Sequence, residues 1–336
     1  MLRRKAVKID KLLNTLNFNG SVLVAVGDNV ILSKGYGMSN FELSVKNTNK
    51  TKFRIASITK QFTAVAILQL VEKKLIHLDD KLSKYIEDYP NGEYITLHHL
   101  LTHSSGISNL NLEDDFCKIL KENNPLLGLI EKVRTQPFEF FPGEKFSYSA
   151  SGYLILTYII ELVTNKTYDA YLQENIFDKL IMRDSGYDFY KRIIKNRASG
   201  YELENDVIVN SDFVDMRIAS GGGALYSTVE DLYRWNVSLL EGNIIKDDLS
   251  KLIITEHIQI NQNVHYGYGL FLAYGEISGK DRHKHYHSGG GGGFRSINSI
   301  YYDDDTKVII LSNVNDKGVF TKVSSGIEDI VLSGLR

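Results

Sequence analysis

The chain has 336 residues, 43% of them hydrophobic and 24% charged, which is enough for one large globular unit or two ordinary ones and gives no compositional sign of disorder. Its 39 Lys and Arg face 41 Asp and Glu, a formal net charge of -2, so there is no electrostatic reason to expect nucleic acid or an anionic membrane as a partner. The one cysteine, Cys117, excludes an intrachain disulfide and a thiolate metal site and reads as a small unreactive side chain.

The opening "MLRRKAVKIDKLLNTLNFNG" is basic and then stays polar. It lacks the continuous apolar core of a secretory signal. No stretch of the chain approaches the ~18 apolar residues of a bilayer span. These features place the chain in the cytoplasm, or outside it with an export segment already removed.

A short amphipathic helix is expected first. "GSVLVAVGDNVILSKGYGM" then reads as two β-branched strands around Gly27-Asp28-Asn29, a hairpin. "FRIASITKQFTAVAILQL" (Phe53 to Leu70) follows as an apolar helix that Ser57 opens. From about Leu78 to Asn210 the pattern changes to helices and loops, including "GYLILTYIIELVTN" (Gly152 to Asn165) and "YDAYLQENIFDKLI" (Tyr168 to Ile181). In "GGGALYSTVEDLYRWNVSLL" a glycine loop leads to a helix, with Ser227 and Glu230 spaced as a capping box and Asp231 adding charge to the first turn.

Strands return at Tyr266–Gly275, Arg282–Gly290, Phe294–Tyr302 and Lys307–Val314, the last two joined at Asp303–Thr306. A final helix runs from about Phe320 to Leu332. The expected class is α+β: an antiparallel sheet built from both chain termini with flanking helices, plus an inserted mainly helical region. That divides the chain into 1–77 with 211–336, and 78–210.

Lys60 stands out. Burying an ammonium in so apolar a helix costs several kcal/mol. Three residues after Ser57, almost one turn on, its amine can reach the serine hydroxyl. Serine needs an adjacent base to act as a nucleophile, and lysine becomes one when desolvation or a helix N-terminus lowers its pKa. The helix N–H groups would also stabilise an oxyanion. By spacing alone S-x-x-K is a weak signal, although Ser57–Lys60 is its only instance here.

Further blocks accompany it in order: "ITLHHLLTHSSGI" (Ile95 to Ile107), "FPGEKFSYSASGYLILTYIIE" (Phe141 to Glu161), "ASGGGALYSTVEDLYRW" and "HSGGGGGFRS". With S-x-x-K they resemble the serine β-lactamase and penicillin-binding-protein superfamily, in its class C-like branch, which includes D-amino-acid peptidases and esterases. The blocks span nearly the whole chain. The resemblance implies that Ser57 is the acylated nucleophile and Lys60 its helper. Tyr148 matches the proton-shuttling tyrosine, and a neighbouring cation would push its phenol toward phenolate.

His287, Ser288 and Gly289 match the third motif, usually Lys-Thr-Gly and often His-x-Gly in this branch. The resemblance puts His287 near Tyr148 and makes the Gly290 N–H the oxyanion donor beside that of Ser57. Ala150 departs from the pattern: the second motif is commonly Tyr-x-Asn, whose amide bonds an acylamide, and alanine has no donor. The acylation machinery is kept, while the match to β-lactams and D-Ala-D-Ala peptides is weakened.

The implied activity is a serine hydrolase acting through an acyl-enzyme on small esters, D-amino-acid amides or peptides, or β-lactams, with no metal or organic cofactor. Its partners would be small molecules or short peptides, and no oligomeric state follows. Two alternatives stay open: a penicillin-binding sensor or scaffold without turnover, and an acyltransferase with the same nucleophile. His283, His285 and His287 share a strand face and could hold zinc, though His283 and His285 read first as solvated edge residues. Gly221–Gly223 and Gly289–Gly293 lack the Gly-Lys-Ser/Thr of a phosphate loop and read as turns or close backbone approaches. His98, His99 and His103 read as structural.

Overall fold

The computed structural model of the protein describes residues 1–110, 118–122 and 124–334; Cys117 lies outside the described residues. The β-branched segments at the two ends of the chain build one eight-stranded antiparallel sheet. Its strands are β1 (Gly20–Val26), β2 (Asn29–Tyr36), β3 (Ile258–Asn261), β4 (Val264–Tyr266), β5 (Phe271–Ile277), β6 (Lys280–Gly291), β7 (Phe294–Tyr301) and β8 (Thr306–Ser312). The spatial order is β3-β4-β5-β6-β7-β8-β1-β2. The chain ends meet where β1 pairs with β8, from Gly20 opposite Ser312 to Val26 opposite Thr306. Among the described residues, 78–210 add no strand to this sheet.

Both faces are covered, so β1 is apolar on both sides. Val22 and Val24 pack with Ile9 and Leu13 of α1 (Leu2–Thr15) and with Val323 and Ile327 of α5 (Lys317–Leu332). Leu23 and Ala25 face the larger cluster around α2 (Thr59–Glu72). That helix is buried on every side from Thr59 to Leu70, as its uniform apolarity requires. Leu100, Ile155 of α3 (Ala150–Thr164) and Trp235 of α4 (Val229–Glu241) belong to the same cluster. One core therefore runs continuously from the sheet into the helical segment. Among the described residues, no helix is long and apolar enough to cross a membrane.

Several elements differ from expectation. Tyr266–Gly275 is not one strand: it breaks at Gly267–Leu270, where Gly267 N–H bonds the Leu270 carbonyl at 2.9 Å and Gly269 takes φ +73. Ser227 does not cap α4. It pairs with Phe53 in a short strand and its hydroxyl meets that of Ser185 at 2.7 Å, so the cap moves to Thr228, whose hydroxyl accepts the Asp231 N–H at 3.2 Å. Tyr168–Leu172 is α-helical, but Gln173–Phe177 widens to a π turn. The middle region also holds a ribbon, Tyr201–Glu204 with Val207–Asn210. The last helix starts at Lys317, because Asp316 caps it by accepting the Val319 N–H at 2.9 Å.

Candidate active site

The chain reaches Ser57 through a short strand, Phe53–Arg54, pinned to Leu225–Ser227. The Ile55 N–H extends that pairing to the Leu225 carbonyl at 3.0 Å. Ala56 then adopts φ +44, strained for a residue with a Cβ, and Ala56–Ile58 form a 3-10 turn that runs into α2. Ser57 thus sits on the turn before the helix rather than inside it. Lys60 is fully buried one turn below, and its Nζ lies 2.7 Å from the Gly222 carbonyl and 3.2 Å from Ser57 Oγ. Burial alone pulls its pKa from the ordinary 10.5 to about 7. The glycine run explains the fit: a Cβ on Gly221 would come within 2.2 Å of Thr157 Oγ1, so only glycine lets this loop press against α2 and α3.

Tyr148 lines the same cavity as Ser57, and Lys60 Nζ lies 4.8 Å from its ring centroid. The phenol is not pushed toward phenolate as expected. Burial raises its pKa, because the charged phenolate would lose its hydration there, and the same burial lowers the pKa of Lys60, so the amine is only a weak source of positive charge.

His287 is 1% exposed and lines the site with Ser57 and Tyr148, its ring centroid 6.1 Å from that of Tyr148. Its Nδ1–H donates to the Ser288 carbonyl at 2.6 Å and its Nε2 meets the Tyr266 hydroxyl at 3.2 Å. Burial and the nearby Lys60 lower its pKa to about 3. Both nitrogens are spent, so this neutral imidazole has no lone pair left for Ser57 or Tyr148.

Gly289 brings β6 against the serine turn: a Cβ there would lie 2.6 Å from the Ile55 carbonyl oxygen and 2.9 Å from Ala56 Cβ. The three strand histidines do not converge. His283 is exposed beside Asp303, while His285 is only partly exposed: it packs on Tyr302 with ring centroids 4.9 Å apart, and burial lowers its pKa to about 4. His99 caps the helix Leu97–Leu101 reciprocally with Thr96, and His98 Nδ1 meets the Tyr268 hydroxyl at 2.8 Å.

Two cavities meet at Ser57 and Gly290. One, of about 340 Å³, has apolar walls that include Leu110, Ala150, Leu154, Val214, Met216 and Ile218. The other, of about 480 Å³, is lined by Tyr148, Phe271, Ser288, Arg295, Lys317 and Thr321. Arg295 Nε is buried there without a hydrogen-bond partner. Asn109, Arg295 and Lys317 were not legible as site residues, because a single charged or amide residue outside a motif carries no signal. Gly222 lies in the "GGG" run, which reads in the sequence as a turn and a close backbone approach to substrate.

The Beta-lactamase family pattern matches residues 9–325. The chain is 29% identical over 326 residues to "Putative penicillin-binding protein PbpX" of Bacillus subtilis, covering 96% of this chain and 78% of that one. It is 29% identical over 305 residues to "Protein flp" of Staphylococcus aureus, covering 89% of this chain but only 60% of that one. A crystal structure of a penicillin binding protein from Bacillus halodurans superposes with a TM-score of 0.84 at 25% identity, over 95% of this chain and 98% of that one. With this fold and a pattern that covers nearly every residue, the chain belongs to the Beta-lactamase family.

Proposed function

We propose that the protein is a serine hydrolase that works through an acyl-enzyme at Ser57, on esters or amides with an apolar acyl group and an anionic leaving group. The observation that carries this reading is the 3.2 Å approach of Ser57 Oγ to a buried amine whose pKa is about 7. At neutral pH a large fraction of Lys60 is the free amine. It takes the Ser57 proton as Oγ attacks the carbonyl carbon, and the Ser57 and Gly290 N–H groups hold the oxyanion. Tyr148, kept as phenol, gives its proton to the leaving group when the tetrahedral intermediate collapses. The Lys60 ammonium then restores it, and the same groups in reverse draw a proton from the water that releases the acid. His287 acts by orientation rather than proton transfer.

The acyl side follows from the 340 Å³ cavity, whose apolar wall includes Ala150 in place of an amide donor. D-Aminoacyl groups with apolar side chains and small unsubstituted acyl groups fit it better than acylamide-bearing ones. On the other side of Ser57, Arg295 and Lys317 face the leaving group without an acidic partner among the described residues, which suits a carboxylate.

Intact-mass spectrometry after exposure to a fluorophosphonate and, separately, to a penicillin tests the nucleophile. Wild type gains one adduct and Ser57→Ala gains none; modification elsewhere would sink the assignment. Catalytic rather than stoichiometric consumption of a reporter ester separates the hydrolase from a non-turnover sensor. Product analysis with an added alcohol or amine separates it from an acyltransferase. Paired reporters with and without a carboxylate on the leaving group test the Arg295 side.

A further inference from the structure

We propose that His103 is a positioning residue for this reaction: with Tyr266 and His287 it forms a one-directional hydrogen-bond chain that fixes Tyr148 against the edge of β6. The proposal rests on the hydrolase reading and gives His103 and Tyr266 a role that the proton transfers do not assign them.

His103 is 1% exposed and takes φ +58, an uncommon conformation for a side chain that large. The strained turn lets one residue grip both neighbours of Tyr148. Its carbonyl accepts the Ser147 N–H at 2.8 Å and its Nδ1 accepts the Ser149 N–H at 3.1 Å. Its ring lies against the Tyr148 ring, with centroids 4.3 Å apart. The other nitrogen, Nε2, meets the Tyr266 hydroxyl at 3.1 Å, and that hydroxyl meets His287 Nε2 at 3.2 Å.

The ends of the chain set its polarity. A backbone N–H can only donate, so His103 Nδ1 is the acceptor and its proton sits on Nε2. A backbone carbonyl can only accept, so His287 holds its proton on Nδ1, toward Ser288, and leaves Nε2 as acceptor. Tyr266 therefore accepts from His103 and donates to His287. Every donor in the chain has one acceptor. A proton added to His103 Nδ1 would confront the Ser149 N–H, and one added to His287 Nε2 would confront the Tyr266 hydroxyl. Burial opposes both, holding each imidazole neutral.

The result is a brace that runs from the residues flanking Tyr148 to Ser288, two positions before the oxyanion donor Gly290. A fully satisfied buried network of this kind rigidifies the groups it joins, and proton transfer at Ser57 needs that, since a misplacement of about 1 Å can slow a reaction about a hundredfold. The break in the predicted strand at Gly267–Leu270 belongs to the same device, because Tyr266 is the last residue of β4 before it.

Long-range proton–nitrogen NMR on labelled wild-type protein near neutral pH tests the chain directly. His103 is expected as the Nε2–H tautomer and His287 as Nδ1–H, both neutral; the reverse tautomer or a charged ring at either would overturn the proposal. For the kinetic half, Tyr266→Phe removes only the central hydroxyl, and His103→Asn keeps an acceptor for Ser149 while cutting the link to Tyr266. Each should slow phosphonylation of Ser57 by about tenfold or more, with the reporter-ester KM changed by less than about twofold. In Tyr266→Phe, His287 should also titrate at higher pH than in wild type. Unchanged labelling rates in well-folded variants would remove the positioning role. Failure of wild type to label at Ser57 would instead overturn the hydrolase reading, while the tautomers would still decide whether the chain exists.

Discussion

The side-chain oxygen of Asn109 accepts the Ala150 N–H at 2.6 Å while its amide nitrogen donates to the Tyr148 carbonyl at 2.8 Å. One carboxamide thus ties together the two ends of the Tyr148–Ala150 segment. Both backbone groups are near solvent and rehydrate if released, so Asn109→Ala should cost only about 1 kcal/mol of stability. Its effect on the reaction should be larger: acylation slower by about tenfold, because Tyr148 loses its register with Ser57. Stopped-flow measurement of the reporter-ester burst beside a thermal melt checks both. A large loss of stability with normal acylation would contradict this account.

Lys60 must be neutral to accept the Ser57 proton. With its pKa near 7, labelling of Ser57 should accelerate by about tenfold per pH unit below that value and level off about one unit above it. Lys60→Arg keeps a permanent charge and should label about 10² to 10⁴ times more slowly. Fluorophosphonate labelling rates from about pH 5 to 9 report this. A rate independent of pH in wild type would rule the lysine out as the base.

The same amine should tie stability to pH. Lys60 titrates near 7 in the fold and near the ordinary 10.5 when unfolded, so between these values the unfolded chain binds more protons. Its contribution to stability therefore rises with pH across that window, and below it the full penalty of burying a cation is present. Lys60→Met lacks this term. The variant's stability relative to wild type should be highest near pH 6 and fall by roughly 1.4 kcal/mol per pH unit above 7. Urea unfolding of both proteins at about pH 6, 8 and 9 measures the difference; a constant gap would mean that Lys60 is charged in the fold.

Ala150 stands at the wall of the apolar cavity. Ala150→Asn places a donor where an acylamide oxygen would lie. The kcat/KM ratio of acylamide to simple-ester substrates should rise by about tenfold, since an unpaired polar group discriminates more strongly than a missing methyl. An unchanged ratio would show that the cavity wall does not set acyl selectivity.

Much of this could be read before any coordinates. β1, β2, β7 and β8 followed from their β-branched residues and from glycine or aspartate turns, because each has a neighbour close in sequence that holds the register. Ser57 and Lys60 were legible because a lysine in an otherwise apolar helix demands a physical reason. The break after Tyr266 was not legible, since it depends on Gly267 and Gly269 packing against Ile253 and α2, far away in sequence. Nor was the cap at Thr228: it moved one residue because Ser227 found a partner in Ser185. His103 read as a structural histidine, and nothing local in "LTHSSG" says that its ring would lie on Tyr148.

The sequence by itself determined the kind of chemistry: a hydroxyl, an amine one turn away, a phenol and a glycine-lined strand, each in a segment whose pattern fixes its local shape. Tertiary structure decided the state of those groups. Burial lowers the pKa of Lys60 and raises that of Tyr148, and two backbone groups from separate segments stand against the ring nitrogens of His103 and His287. Protonation and orientation depend on what surrounds a group in space, and the chain brings those surroundings together only when it folds.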